Sequence, residues 1–534
     1  MSSQEAVLRF LRDPASYPAG AGPPEVHSTH GSWVFLAGDL AYKLKKEIDL
    51  GWMDYSTPGK RRRFAELEVE LNRRLAPGIY LGVRAILEAG GRLSFGELRE
   101  PGADAAAGAG REVDTVVVMR RLPREAMLDQ LLETGGAGDD EIARIVDLLA
   151  AFERRAPRGP EIDRGGAPET LRTSILENSA DIAHLEGDLI SSEKAAALRS
   201  AQLTFVEVRR GRIESRVREG RVRDGHGDIR AEHVVFTPGP AVMDCVEFNE
   251  RFRHIDAAAD IAFLSMDLEF LGHERLARLL VDRFIEATDD PGIRGVLELH
   301  VTYRACVRGK VDGIKSRQEE VDPAERERAA ARSKRYFDLA LAHARLMDPP
   351  LLVLVGGISG SGKSTTARLL GERLGTGPIR SDLVRKELAG LDPTARPPDE
   401  AARAALYAQE MSRRTYAECA ARAGRLLAGG GTAIIDATFL READREPALA
   451  SARRTGARLV YLECRAPADV AALRLRKREA EGGDPSDATA AVLDRQRKSR
   501  EEPRGIALVP VDNGGTPERA LESALEAIRA KAGA

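Results

Sequence analysis

Apolar residues two apart mark the first strands of the chain. Ser32-Trp-Val-Phe-Leu36 and Leu40-Ala-Tyr-Lys-Leu-Lys45 read as two strands joined at Ala37-Gly-Asp39. Strand alternation places Ala41, Lys43 and Lys45 on one face of the second. From Lys60 to Leu75 the period lengthens to that of a helix, with Phe64, Leu67, Leu71 and Leu75 on its apolar stripe. Glu66, Glu68 and Glu70 ride on the same segment. Strand-like runs return at Val83–Leu87 and Val113–Met119, around an Ala/Gly-rich loop tip at 101–110. Residues 141–203 and 271–345 are mainly helical in pattern, and Asp348-Pro-Pro350 stops the last helix. Beyond it, short apolar runs at 351–355, 432–436, 458–463 and 508–512 alternate with helical stretches at 367–374, 407–427, 468–481 and 517–531. Such alternation predicts a parallel α/β core. Two domains are expected, 1–347 and 348–534.

Composition narrows the picture. A chain of 534 residues is too long for one ordinary core. Its 81 basic and 84 acidic residues nearly cancel, so no global field points to nucleic acid or a membrane surface. Cys245, Cys306, Cys419 and Cys464 lie far apart and form neither a disulfide framework nor a zinc motif. The first residues hold no apolar core of signal-peptide length, and no run approaches a membrane span. A soluble, cytoplasmic protein is the expectation.

One stretch carries explicit chemistry. Gly357-Ile-Ser-Gly-Ser-Gly-Lys-Ser364, followed by Thr365, fits the Walker A pattern between a strand and a helix. Gly357, Gly360 and Gly362 let the backbone turn so that the N–H groups of Ile358, Ser359, Ser361 and their neighbours converge at a helix N-terminus, which favours a phosphate. Lys363 can reach the β- and γ-phosphates of ATP, and the Ser364 hydroxyl can ligate Mg²⁺. Asp382 follows a short strand at the carboxyl edge of the expected sheet, where ligands bind, with Arg385 one turn on. Asp436 ends a buried strand as a Walker-B-like carboxylate for the Mg²⁺ water shell. Arg474 and Arg478 lie one turn apart on a later helix.

A second stretch, Gly225-His-Gly-Asp228 and then Val242-Met-Asp244, resembles the catalytic and metal-binding segments of protein-kinase-like phosphotransferases, more narrowly the aminoglycoside phosphotransferase family. The likeness spans roughly residues 25–345. It implies a bilobal kinase-like domain in which Asp228 is the base, Asp244 holds Mg²⁺, and Lys43 contacts the α/β-phosphates. A helix glutamate would pair with Lys43; Glu68 is favoured by the helix offsets, with Glu66 and Glu70 open. His233 stands where the family has a metal-binding asparagine, and no G-x-G-x-x-G loop is present, Ser28–Ser32 being the one candidate turn. The C-terminal half resembles AAA-type P-loop kinases of the polynucleotide kinase, gluconate kinase and zeta-toxin type. That likeness implies base catalysis by Asp382, acceptor contact by Arg385, and charge stabilisation by the lid arginines Arg474 and Arg478.

The fold class expected is therefore α/β and α+β: a bilobal aminoglycoside-phosphotransferase-like domain followed by a P-loop NTPase domain with a parallel sheet. The implied function is Mg·ATP-dependent phosphate transfer at two sites to hydroxyl acceptors, with an RNA or DNA 5′-hydroxyl and a small metabolite both open. The alternative makes the N-terminal half a binding or regulatory module and the P-loop half a metabolite kinase or an ATP-hydrolysing switch.

Overall fold

The structure, a computed structural model, describes residues 3–29, 31–51, 53–103, 110–397, 399–481, 486, 493–503, 506 and 508–532. Most of the expected loop tip, 104–109, and His30 of the turn Ser28–Ser32 lie outside the described residues. The chain forms two compact units, Met1–Ala167 with Ser215–Leu297, and Pro168–Glu214 with Glu298–Ala534.

The first unit opens with six antiparallel strands: β1 (Glu25–Ser28), β2 (Ser32–Ala37), β3 (Leu40–Lys45), β4 (Tyr80–Ala89), β5 (Arg92–Arg99) and β6 (Arg111–Arg120), in the order β1-β2-β3-β6-β4-β5. The pattern predicted β2, β3, β4 and β6 but neither β1 nor β5. Those two occupy the sheet edges, and β1 is exposed at every residue, so neither shows the clean apolar alternation of a covered strand. The helix Pro58–Asn72 starts where Thr57 accepts from the Lys60 N–H and Pro58 presets the first turn. Its buried Arg61 bonds Asp114 of β6 through Nε at 3.0 Å, which fixes the helix against the sheet. A helical lobe follows, with Ile142, Ile145, Leu149, Ile261, Leu264, Leu280 and Phe284 in one core. Two short antiparallel pairs complete it: β7 (Val222–Asp224), β8 (Val234–Val235), β9 (Ala241–Val242) and β10 (His254–Asp256) pair as β7 with β10 and β8 with β9.

The second unit holds a parallel sheet of β11 (Leu351–Gly356), β12 (Ile379–Arg380), β13 (Thr432–Asp436), β14 (Arg458–Arg465) and β15 (Leu508–Asp512), in the order β12-β13-β11-β14-β15. Both faces are covered, which is why β11 and β13 are apolar without alternation. Val353 and Val355 pack with Leu370 and Leu374 on one side. Leu352 and Leu354 pack with Tyr416, Ala423 and Ala452 on the other. The helix Ser192–Val208 belongs to this unit. Its Ser200 Oγ accepts from the Thr432 N–H at 3.1 Å, and Thr204 and Thr432 hydroxyls meet at 2.6 Å. Gly431 permits this approach, since a Cβ there would lie 2.7 Å from Ser200 Oγ.

Candidate active sites

In the first unit, strand alternation carries Lys43 and Lys45 to the face covered by the helix Pro58–Asn72. Glu68 lies on the buried side of that helix and meets both: Oε1 is 2.8 Å from Lys43 Nζ and Oε2 is 2.7 Å from Lys45 Nζ. Glu66 instead pairs with Arg62 along the helix surface at 2.9 Å. Lys43 Nζ also donates to Asp244 Oδ1 at 2.7 Å. Lys45 bonds Glu247, to which the Tyr55 hydroxyl donates at 2.6 Å. Sequence reasoning missed Lys45 and Glu247 as partners, although Lys45 on the face of Lys43 was the available signal.

Burial opposes both charges of the Lys43–Asp244 pair, yet their proximity wins. Asp244 is held well below the usual carboxylate range by Lys43 and His233, and Lys43 is held well above its usual value by Asp244 and Glu68. The backbone at Asp244 has φ 64°, and its N–H donates to Tyr80 Oη at 3.2 Å.

The His226-Gly227-Asp228 turn is gripped by Asp260, another residue that sequence reasoning left without a role. Its carboxylate accepts from the N–H groups of His226 and Gly227 at 2.7 and 2.8 Å. Gly227 has φ 88°, and a Cβ there would meet Phe252 O at 2.6 Å. His226 is buried and its pKa falls to about 3, so it stays neutral and accepts from the Asp228 N–H at Nδ1. Asp228 is left partly open, with His233 Nδ1 3.6 Å from its Oδ2 and 2.9 Å from its carbonyl. The structure thus gathers Lys43, Glu68, Asp228, His233 and Asp244 in one place.

In the second unit, the phosphate loop leaves β11 and enters the helix Lys363–Leu374. Gly357, Gly360 and Gly362 have φ of 137°, 78° and 87°. A Cβ would lie 2.5 Å from Cys464 O at Gly357 and 2.5 Å from Ala471 O at Gly360. These glycines are therefore required by conformation and by space. Two residues distant in sequence brace the loop. Asn513 Nδ2 donates to Ser361 O at 2.8 Å. Gln496 accepts from the Ser359 N–H at 2.8 Å and donates to Ser359 Oγ at 3.1 Å. Neither was legible as a site residue.

Parallel pairing sets Asp436 beside Val355, directly ahead of the loop. Beside the Ser364 hydroxyl, which works to lower the Asp436 pKa, Asp436 Oδ1 is buried without a hydrogen-bond partner. Burial raises the Asp436 pKa, with Lys363 pulling the other way. A buried acceptor left unused beside a hydroxyl is chemistry that suits a hydrated divalent cation. The residues present fit Mg²⁺. Asp382 stands in the first turn of the helix Ser381–Leu388, just past β12, at the same sheet edge. Arg385 is buried over the Tyr407 ring, 4.8 Å from its centroid, and donates to Leu406 O and Ser412 Oγ at 3.2 Å. Arg474 donates to Asn513 O at 2.8 Å, and Arg478 is partly buried one turn later.

Residues 352–503 match the AAA domain family. The uncharacterized protein Rv2004c of Mycobacterium tuberculosis is 32% identical over 469 residues, covering 88% of each chain. The chain belongs to the same family as this mycobacterial protein. Among solved structures, a Sinorhizobium meliloti gluconokinase is 22% identical and aligns with 35% of this chain and 94% of its own, at TM-score 0.26. A choline/ethanolamine kinase family protein of Mesorhizobium loti is 15% identical and aligns with 64% of this chain and 99% of its own, at TM-score 0.35. This member of the family combines an antiparallel sheet and helical lobe with an AAA domain built on a five-stranded parallel sheet. Among the described residues, no helix is long and apolar enough to cross a membrane.

Proposed function

We propose that the chain is a phosphotransferase with two Mg·ATP sites, one in each of the segments 1–347 and 348–534, each delivering the γ-phosphate to a hydroxyl acceptor. The observation that carries the reading is the phosphate loop with Asp436 beside it. Its glycines have no room for a side chain, and Asp436 keeps a buried, unused oxygen next to Ser364. Lys363 and the loop N–H groups of Gly357–Thr365 hold the phosphates. Ser364 and Asp436 would hold the metal, which supplies charge neutralisation at the phosphates. Asp382 accepts the proton of the attacking hydroxyl, Arg385 faces the acceptor side, and Arg474 and Arg478 balance charge on the phosphoryl group in flight. In the other half, Asp228 is the base, Lys43 steadied by Glu68 contacts the α/β-phosphates, and Asp244 with His233 would hold the metal.

Transfer of γ-labelled phosphate in Mg²⁺ tests this directly, offering a 5′-hydroxyl oligonucleotide and, separately, small hydroxyl compounds. Label on the oligonucleotide that vanishes in Asp382→Asn assigns the C-terminal acceptor as a nucleic-acid end. Label only on small compounds assigns a metabolite kinase. Lys363→Ala should abolish C-terminal transfer, and retention of that transfer would remove the phosphate-loop assignment.

A second reading makes the N-terminal half a non-catalytic binding or regulatory module. The direct Lys43–Asp244 contact favours it, because those groups must part to admit phosphate and metal. In a Lys363→Ala background, transfer that is lost on adding Asp228→Ala supports catalysis by the N-terminal half. Absence of any transfer in that background supports the module.

A further inference from the structure

At the amino edge of the parallel sheet, opposite the phosphate loop, lies a cleft of about 840 Å³. Pro350, Ala428 and Thr455 line it just ahead of β11, β13 and β14, so it opens where those three adjacent strands begin. The length of β11, about 20 Å, separates it from the phosphate loop. Ala421, Gly424 and Ala428 share one face of the helix Gln409–Ala428, and their small side chains leave the space unfilled. Its volume is that of a small-molecule site.

Three arginines line the cleft, one from each of three helices: Arg345 of Pro323–Met347, Arg425 of Gln409–Ala428 and Arg454 of Glu442–Thr455. Among the described residues no carboxylate lines it. Other arginines of these helices are paired: Arg413 with Glu410, Arg422 with Glu387 and Glu418, and Arg453 with Glu446. Neither Arg425 nor Arg454 has an acid three or four residues away to pair with along its helix. Asp348, three residues after Arg345, is held by Arg209 at 2.6 Å.

Each of the three stands in the last turn of its helix, where the helix dipole favours a cation. A helix C-terminus carries only about half a negative charge, so three of them offset about half of the guanidinium charge. The cleft stays net positive and rich in donors, and the guanidinium fork matches phosphate oxygens in pairs. A nucleic-acid strand would need an extended basic track, whereas the chain's 81 basic and 84 acidic residues nearly cancel.

We infer that this cleft binds a small phosphate-bearing anion, apart from the phosphate loop, with Arg345, Arg425 and Arg454 as its cationic ligands. The inference does not rest on the phosphotransfer reading.

Calorimetric titration of the full chain with inorganic pyrophosphate, without divalent metal, tests it against Arg425→Gln/Arg454→Gln. The expected result is one binding site fewer in the variant. Ala421→Glu is a second variant that leaves every arginine in place. Ala421 is exposed, and a glutamate there would stand four residues before Arg425, in the favourable helical pairing order. It should weaken pyrophosphate at that site about tenfold without lowering thermal stability. Equal pyrophosphate binding in wild type and both variants would overturn the inference. Pyrophosphate binding lost entirely in Lys363→Ala would place all of it at the phosphate loop and overturn the inference as well. A 5′-phosphorylated oligonucleotide released by the variants, with pyrophosphate unaffected, would overturn the small-anion assignment in favour of nucleic acid.

Discussion

Lys45 and Glu68 are both wholly buried, and each holds the other's charge. Removing one partner of such a pair leaves an uncompensated charge in the interior and costs roughly 3–5 kcal/mol. Lys45→Met should therefore lower the denaturant midpoint strongly. Lys43→Met, at the partly open end of the network, should cost less stability while removing N-terminal transfer. Equal losses of stability from the two variants, measured in parallel unfolding curves, would contradict this division of labour. At this scale the sequence was informative where periodicity constrained it. Strand alternation put Lys43 on the covered face, and helical offset favoured Glu68 over Glu66 and Glu70. It was silent on Glu247 and marked Lys45 only by its place on the face of Lys43, because a lysine with no exposed surface is rare and its role is readable only through its partner.

The phosphate loop, as an element, was legible because its glycines, lysine and hydroxyl are contiguous. Its braces were not. Gln496 lies 137 residues from Ser359 and Asn513 lies 152 from Ser361, distances over which local pattern says nothing. The two hydrogen bonds from Gln496 hold Ser359 without adding a charge beside the phosphates. Losing them should weaken ATP binding by about tenfold, equivalent to about 1.4 kcal/mol, with the fold unchanged. Calorimetric titration of Gln496→Ala with an ATP analogue measures this, and an unaltered affinity would show that the loop holds its shape alone. Gly362→Ala should do more damage: φ there is 87°, and the new Cβ would sit 2.8 Å from Asn513 Nδ2. Loss of nucleotide binding with an intact circular dichroism spectrum is the expected result.

Across the whole molecule, chain order and packing order differ. Asp348-Pro-Pro350 marks the passage from helices to sheet, as the prolines predicted. Yet the helices of 168–214 and 298–347 pack in the same compact unit as the P-loop sheet. Contacts such as Ser200 with Thr432 depend on small residues meeting at close range, and small residues leave a weak mark in a hydrophobic pattern. Glu207 shows what this packing does. It is buried between Arg373 at 2.5 Å and Arg529 at 2.9 Å, joining the helix Ser192–Val208 to the phosphate-loop helix and the C-terminal helix. Burial raises its pKa, but the two guanidinium groups lower it further, so the net shift is downward. A carboxylate bound less tightly by protons in the fold than in the unfolded chain stabilises above its unfolded value near 4.5. That contribution fades as pH falls through the lower, folded value. Glu207→Gln should thus flatten the acid side of the stability profile and cost about 2 kcal/mol near neutrality, between the values of exposed and buried pairs. An acid limb identical to wild type in pH-dependent unfolding would exclude Glu207 as its source. A fragment of 348–534 alone should likewise unfold more easily than the intact chain, since it lacks the helix that covers Gly431 and Thr432.

The interleaved units also impose an order on biosynthesis. The helix Ser192–Val208 leaves the ribosome about 140 residues before β11 and so waits roughly 7–28 s for the sheet that covers it. During that interval Ser200 and Thr204 lack Thr432, and Leu203 lacks Gly375, to which it lies close in the finished protein. The nascent chain is then a natural client for a holdase until the sheet is made.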